Sequence, residues 1–199
     1  KLRQAERTAE QFPEFQVNVE ALQQAQPKDL DASEIEVRLG TTWIDKSYIQ
    51  EFMYDTFDTP FYLQRRIQVH YSPYTAEWQI EGKSNIPYNN IAAFTTYGTD
   101  RASAYRLLED ALNLRDTRIY DTVTDPDGKE RRVLNARETT LAAQKQQLIK
   151  DAFKDWIWKD PERRTALVRQ YNEEMNSTRP REYDGSHIVL SGMNPEITL

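Results

Sequence analysis

Hydrophobic positions in this chain follow a helical period over most of its length and switch to strict alternation near the middle. Residues 29–66 read as helix in pieces. Ser33 precedes Ile35, Val37 and Leu39, and Gly40 stands where a C′ glycine ends a helix. Asp45 is placed to cap the next helix, whose Ile49, Phe52, Met53 and Phe57 are spaced for one buried face. Pro60 opens a further turn through Leu63. Between 67 and 82 the period drops to two. Ile67, Val69 and Tyr71 alternate with Gln68, His70 and Ser72, and Trp78 and Ile80 alternate with Glu77, Gln79 and Glu81. Across Pro73–Ala76 this predicts a hairpin with one wet face. A polar loop and a short strand, Ile91–Thr96, are expected next.

Thr99 is placed to cap a helix over 100–113 whose face is Ala104, Leu107, Leu108, Ala111 and Leu112. Ile119–Thr124 and Arg131–Leu134 flank Asp125-Pro126-Asp127-Gly128, a turn signal that predicts a second hairpin. Asn135 with Glu138 resembles a capping box. The helix behind it runs to about Trp158, with Leu141, Leu148, Ile149, Ala152, Phe153, Trp156 and Ile157 expected inward. Asp160-Pro161 restarts the chain as N-cap and first-turn proline, and Leu167, Val168, Tyr171 and Met175 line the last helix. So short a link predicts an αα-hairpin.

Residues 1–28 are polar, with scattered Phe12, Phe15, Val17, Val19 and Leu22, and Pro13 breaks any single long helix. They are expected as a loosely attached N-terminal arm. Residues 177–199 have no period and carry Pro180, Gly185, Gly192 and Pro195, as an extended linker does. A chain that opens on Lys1 and closes on such a segment reads as part of a longer protein. Between arm and linker, 29–176 reads as an α+β domain: two β-hairpins able to share one small antiparallel sheet, several helices, and the C-terminal αα-hairpin.

Composition narrows the partners. Of 199 residues 38% are hydrophobic, a thin core for this length, but 4 Trp, 11 Tyr and 7 Phe can bury large areas. The net charge of −6 argues against a protein that coats nucleic acid generally, while leaving room for a local basic strip. The chain has no Cys, so disulfides, thiolate zinc sites and thiol nucleophiles are all excluded, which suits a reducing cytoplasm. No apolar run approaches the roughly 18 residues a membrane span needs.

Catalytic motifs are sparse. Asn85-Ile86-Pro87-Tyr88 is near the Asn/Asp-Pro-Pro-Tyr/Phe string with which adenine methylases hold a flipped base, but Ile86 replaces the first proline. The glycines (40, 82, 98, 128, 185 and 192) are too dispersed for a methyl-donor loop, so the plainer reading is a connecting loop. A phosphate loop of the form Gly-x-x-x-x-Gly-Lys-Ser/Thr is absent. His70 and His187 are far apart, and Asp184-Gly185-Ser186-His187 reads as a turn. Thr99 and Arg101 stand where a helix start meets a phosphate, although Asp100 already complements the dipole. No metal set is recognisable. The direct hint of nucleic acid is a series of basic clusters: Arg65-Arg66, Arg131-Arg132, Arg163-Arg164 with Arg169, and Arg179-x-Arg181, with Tyr171 and Tyr183 nearby. Acidic neighbours Glu130, Glu162 and Glu182 also fit an ordinary mixed surface.

Several strings resemble one family. Asp31-Ala-Ser-Glu-Ile-Glu-Val-Arg-Leu-Gly-Thr-Thr-Trp-Ile44, Tyr97-Gly-Thr-Asp-Arg101, Trp156 to Arg164, and Arg179-Pro-Arg-Glu-Tyr-Asp-Gly-Ser-His187 are similar to stretches of very large bacterial proteins of plasmids, phages and integrative conjugative elements. Those proteins resemble a Swi/Snf-type DNA helicase fused to an adenine-specific DNA methylase. Gly192-Met-Asn-Pro-Glu-Ile-Thr-Leu199 looks like the run leading into the helicase core. The resemblance covers about 29–199 and implies the region between the two engines. It implies no catalytic residue and no cofactor within this stretch; ATP and S-adenosylmethionine would belong to the parent protein. Its expected partners are DNA and the flanking helicase and methylase domains, with no membrane. On this reading Arg163, Arg164, Arg179 and Arg181, with Arg101 and Thr99, are the expected backbone contacts. The rival expectation is a protein-interaction scaffold without nucleic-acid contact, drawn from the acidic balance and the aromatic content. An independent hydrolase would require a deep pocket with convergent carboxylates.

Overall fold

A computed structural model describes residues 2–177. Two compact units divide the chain: Asp31–Arg169, and Lys1–Leu30 together with Gln170–Leu199. The linker expected beyond Ser177 lies outside the described residues.

In the smaller unit, α1 (Leu2–Gln11) and α2 (Gln16–Gln24) are separated by a single 3-10 turn, Pro13–Phe15. The break falls at Pro13, whose ring and missing N–H cannot continue the first helix. Ala9 and Val19 are the buried positions. The stretch expected as a loosely attached arm makes side-chain hydrogen bonds at its end. The Leu30 N–H donates to Asn172 Oδ1 at 2.8 Å, Asn172 Nδ2 donates back to the Leu30 carbonyl at 2.9 Å, and Asn176 Nδ2 donates to the Lys28 carbonyl at 2.8 Å.

The larger unit is α+β. In order it contains α3 (Lys46–Thr56), α4 (Phe61–Gln64), β1 (Gln68–Ser72), β2 (Glu77–Glu81), α5 (Ala104–Leu112), β3 (Tyr120–Thr124), β4 (Glu130–Leu134), α6 (Ala136–Lys159) and the start of α7 (Pro161–Glu174). Asp45 caps α3 as its position predicts, accepting the Ser47 N–H at 2.8 Å. Asn135 caps α6 by accepting the Glu138 N–H at 3.0 Å, while its own N–H goes to the Ile119 carbonyl, so only half of a capping box forms. Asp160 alone joins α6 to α7 and caps the latter through the Arg163 N–H at 2.7 Å.

Helices α3, α5 and α6 enclose the core. Phe52, Met53 and Phe57 at the end of α3, Tyr105, Leu107 and Leu108 of α5, and Ile149, Phe153 and Ile157 of α6 are all at most 1% exposed. Phe52 meets Phe153 edge to face at 5.1 Å, and Phe57 meets Tyr105 at 5.2 Å. The Tyr105 hydroxyl lies 2.6 Å from the Thr59 hydroxyl, which satisfies two buried polar groups at once. Burial pushes the Tyr105 phenol up to about 12, so it stays protonated.

The first hairpin pairs β1 with β2 antiparallel, with Val69 opposite Ile80 and Tyr71 opposite Trp78. Helix side chains serve both of its edges. On β1, the Val69 N–H donates to Gln50 Oε1 of α3 at 3.1 Å. On β2, the Ile80 N–H donates to Glu109 Oε2 at 2.7 Å, the Trp78 N–H donates to Asn113 Oδ1 at 2.9 Å, and Asn113 Nδ2 returns to the Trp78 carbonyl at 2.8 Å. Glu109 and Asn113 are four apart on one ridge of α5, so their acceptors follow the rise of alternate strand residues.

Several expectations change. Ile35, Val37 and Leu39 are buried and alternate with exposed Glu34, Glu36 and Arg38 in turns and irregular backbone. Their spacing is two, the period of an extended segment, and no helix forms there. Ile91–Thr96 is not a strand: Ala92–Thr96 is a π-helical turn. Thr99 does not cap the following helix. Its hydroxyl accepts the N–H groups of Arg101 and Ala102 in a tight turn, and α5 starts only at Ala104. The two hairpins form separate two-stranded sheets. On α6 the inward ridge is Ala142, Gln146, Ile149, Phe153 and Ile157, whereas Leu141 and Leu148 face solvent. Met175 is likewise exposed.

Asn113→Ala removes the side chain that replaces a third strand beside β2. It is expected to cost about 1–3 kcal/mol, as for a buried backbone pair left unmade. Urea denaturation measures the change, which should come with an unaltered m-value.

Candidate functional site

Three of the six expected DNA-contact residues, Thr99, Arg101 and Arg163, are occupied within the fold. Thr99 is 5% exposed and its hydroxyl is committed to its own turn. Arg101 donates through Nη1 to Asp121 Oδ1 at 2.8 Å and through Nη2 to the Tyr120 carbonyl at 3.0 Å, fixing the start of β3. The Arg101 guanidinium, with the Asn135 amide, holds the Asp121 carboxyl below the usual carboxylate range.

Arg163 is the most engaged of the set. Its Nε donates to the Ile157 carbonyl at 3.1 Å and its Nη2 to the Trp156 carbonyl at 2.8 Å. These belong to the last turn of α6, whose carbonyls have no partner within the helix. The guanidinium lies 3.5 Å from the centre of the Trp156 ring and 3.6 Å from Glu51 Oε2. Its side chain is 11% exposed. It is therefore a C-terminal cap of α6 made from the following helix. Beside it, Asp55, Trp156, Lys159, Asp160 and Pro161 line an open depression. Arg164 and Arg169 are exposed on α7. Arg179 and Arg181 lie outside the described residues. Of the other clusters, Arg131 leans on Asp125 at 3.4 Å, and Arg132 lies 4.8 Å from the Tyr120 ring centre.

Arg65 and Arg66 differ. Both are exposed, and neither has an ion-pair partner among the described residues. They follow Phe61 and Tyr62 on α4 and its C-terminal cap, each ring four residues before a guanidinium, so ring and charge share a ridge of the turn. Phe61 is 82% exposed and Tyr62 70%. Leu63, between them and the arginines, points inward and is buried.

A second segment, 82–90, is fastened to the stretch 57–66 at both of its ends. At one end Asn90 Nδ2 donates to the carbonyls of Phe57 and Asp58, at 3.0 and 3.1 Å. At the other, Gly82 adopts a φ of +69° and lies so close to the Arg66 carbonyl that a Cβ would collide with its oxygen. Only glycine allows that approach. Between these ties the second segment carries Asn85, buried Ile86, and Tyr88, whose ring is 88% exposed. The Tyr88 ring touches Phe94 at 5.2 Å between ring centres with a 33° tilt and remains largely open to solvent. The near-methylase string Asn85–Tyr88 is thus a surface loop.

The stretches 59–65 and 83–89 contain no carboxylate, in a chain with 32. Their charges are Arg65 and Lys83, the latter paired to Glu109 of α5 at 2.5 Å. Asp58 and Glu81 stand just outside the ties. The Arg65-Arg66 pair is legible in the sequence, but its setting is not. The available signal was Phe61 and Tyr62 beside an inward Leu63, two aromatics on the outer side of a short turn. Among the described residues no group of His, Asp and Glu is arranged to hold a metal, and no helix is long and apolar enough to cross a membrane.

What the geometry defines is a helical α+β domain that presents an aromatic and basic corner. Residues 38–177 match the family described as a domain of unknown function, DUF8437. That span exceeds half of the chain, which therefore belongs to this family. No curated protein and no solved structure matches it.

Arg163→Ala is expected to lower stability by about 1–3 kcal/mol, because it frees two helix-end carbonyls and removes the cover from Trp156. Arg163→Lys should recover less than half, since an ammonium cannot fork to two carbonyls while lying flat on a ring. Thermal unfolding followed by circular dichroism distinguishes the three proteins.

Proposed function

We propose that this chain is a non-catalytic accessory domain of a larger DNA helicase/methylase of mobile elements. It helps to hold DNA or to position the flanking engines in the cytoplasm. The observation that carries the reading is the corner formed by Phe61, Tyr62, Arg65, Arg66 and Tyr88. Its cations lack carboxylate partners and its rings stand free, which suits a nucleic-acid backbone and its bases better than a mixed-charge surface. The resemblance of 29–199 to the region between methylase and helicase supports the same role, and it leaves ATP and S-adenosylmethionine to the neighbouring modules of the parent protein.

A scaffold reading has one observation in its favour. The β3–β4 ribbon exposes Val123, Val133 and Leu134 and is backed by no third strand. A lone hairpin of this kind is marginal in water and gains from a covering partner.

Salt dependence separates the two. Log affinity for duplex DNA should fall against log salt with a slope of roughly −2 for two phosphate contacts. Arg65→Ala with Arg66→Ala should abolish most of that slope. Fluorescence anisotropy at low salt is the measurement. Absence of binding there would leave the scaffold reading.

A further inference from the structure

We infer that the Phe61–Arg66 and Asn85–Tyr88 corner binds an unpaired nucleic-acid strand, with bases stacked on the rings and phosphates on the arginines. The inference rests on the DNA-holding role proposed above and specifies which form of nucleic acid it takes. Three features of the corner point to a single strand.

The rings face solvent rather than one another. Phe61 and Tyr62 are consecutive on a helical turn, so their side chains diverge by about 100° and each offers a separate face. Tyr88 touches Phe94 yet stays 88% exposed, so most of its ring is available to a base. In a duplex the π-faces of the bases are already stacked, and three such rings would meet only the sugar-phosphate edge. An unpaired strand can turn its bases onto them.

The charges are spaced for the same ligand. Arg65 and Arg66 each follow a ring by one turn, which places a cation beside each stacked base, where its phosphate lies. The absence of Asp and Glu from 59–65 and 83–89 keeps the path of that backbone free of repulsion.

The surface is also fixed in place. Asn90 and Gly82 fasten the two segments at both ends, and Leu63 and Ile86 anchor them to the core from beneath. A single strand therefore meets a preformed platform.

The test uses the full chain, with labelled oligothymidylate and oligouridylate of about 12 nucleotides and a mixed-sequence duplex of equal length. The wild-type chain should bind either single strand more tightly than the duplex, and the ratio of the two single strands identifies DNA or RNA as the source. Tyr88→Ala should weaken single-strand binding by roughly tenfold, the effect of losing one stacked base, and Phe61→Ala with Tyr62→Ala, which removes two, by roughly a hundredfold. Duplex affinity should change by less than about twofold. Arg65→Ala with Arg66→Ala should weaken both ligands. All five side chains are exposed, and unchanged thermal midpoints will show that the variants fold. The inference is overturned if the aromatic variants leave single-strand binding intact or lower both ligands equally. In either case DNA binding itself, and the accessory role, would still stand. If the wild-type chain binds no nucleic acid at low salt, both readings fall together.

Discussion

The aromatic chain through the larger unit organises everything around it. Phe52 lies within 6.0 Å, ring centre to ring centre, of Phe57, Phe153 and Trp156, and Phe57 continues to Tyr97 and Tyr105. Six rings from α3, α5, α6 and the turn before α5 form one connected cluster. A chain with 38% hydrophobic residues has few aliphatic side chains to spare for a core of this size. Large rings compensate, because each buries more area per residue and the edge-to-face contacts add to that area. The polar groups at the rim of the cluster follow from it. The Thr59 and Tyr105 hydroxyls satisfy each other. Trp156 donates from Nε1 to Asp55 at 3.1 Å and carries Arg163 on its face.

The same economy explains the two-stranded sheets. A hairpin on its own has two open edges and one face to bury. The first hairpin buries Val69, Trp78 and Ile80 against α3 and α5, and borrows Gln50, Glu109 and Asn113 as edge partners. It thereby needs no third strand, and the second hairpin is left separate. The β3–β4 ribbon has only its base secured, by Arg101 at Tyr120 and Asp121 and by the Thr139 hydroxyl at Ile119. That difference in edge protection, rather than any difference in strand propensity, sets the two hairpins apart.

Legibility from sequence followed the strength of the local signal. Asp45, Pro60, Asn135 and Asp160-Pro161 marked helix starts correctly, because a cap is decided within four residues. The 69–80 alternation and the Asp-Pro-Asp-Gly turn gave both hairpins. Ile35, Val37 and Leu39 misled because a glycine at the expected end outweighed a spacing of two. Leu141 and Leu148 misled because apolar character alone does not choose a ridge. The packed face of α6 includes Gln146, whose amide donates to the carbonyls of Leu107 and Arg115, and this polar residue displaced a leucine from the expected stripe. The site was harder still. Arg163 and Arg101 looked like free cations, and only the three-dimensional course of the chain gives them carbonyls and carboxylates to hold. Nothing local announces that Asn90 and Gly82 fasten two segments side by side, so Arg65-Arg66 looked no better than the other pairs.

On the proposed nucleic-acid reading, the acidic balance acts as an orienting device. At a net charge of −6 most of the surface repels a polyanion. A strip whose two arginines have no ion-pair partner among the described residues is then the place where approach costs least. Repulsion elsewhere reduces the number of wrong encounters, so a small contact can have a defined direction even where its affinity is modest. In the proposed setting, between two enzymes acting on one DNA, direction matters more than tightness. A strong grip would compete with the movement of the strand, whereas a weak and oriented contact guides it.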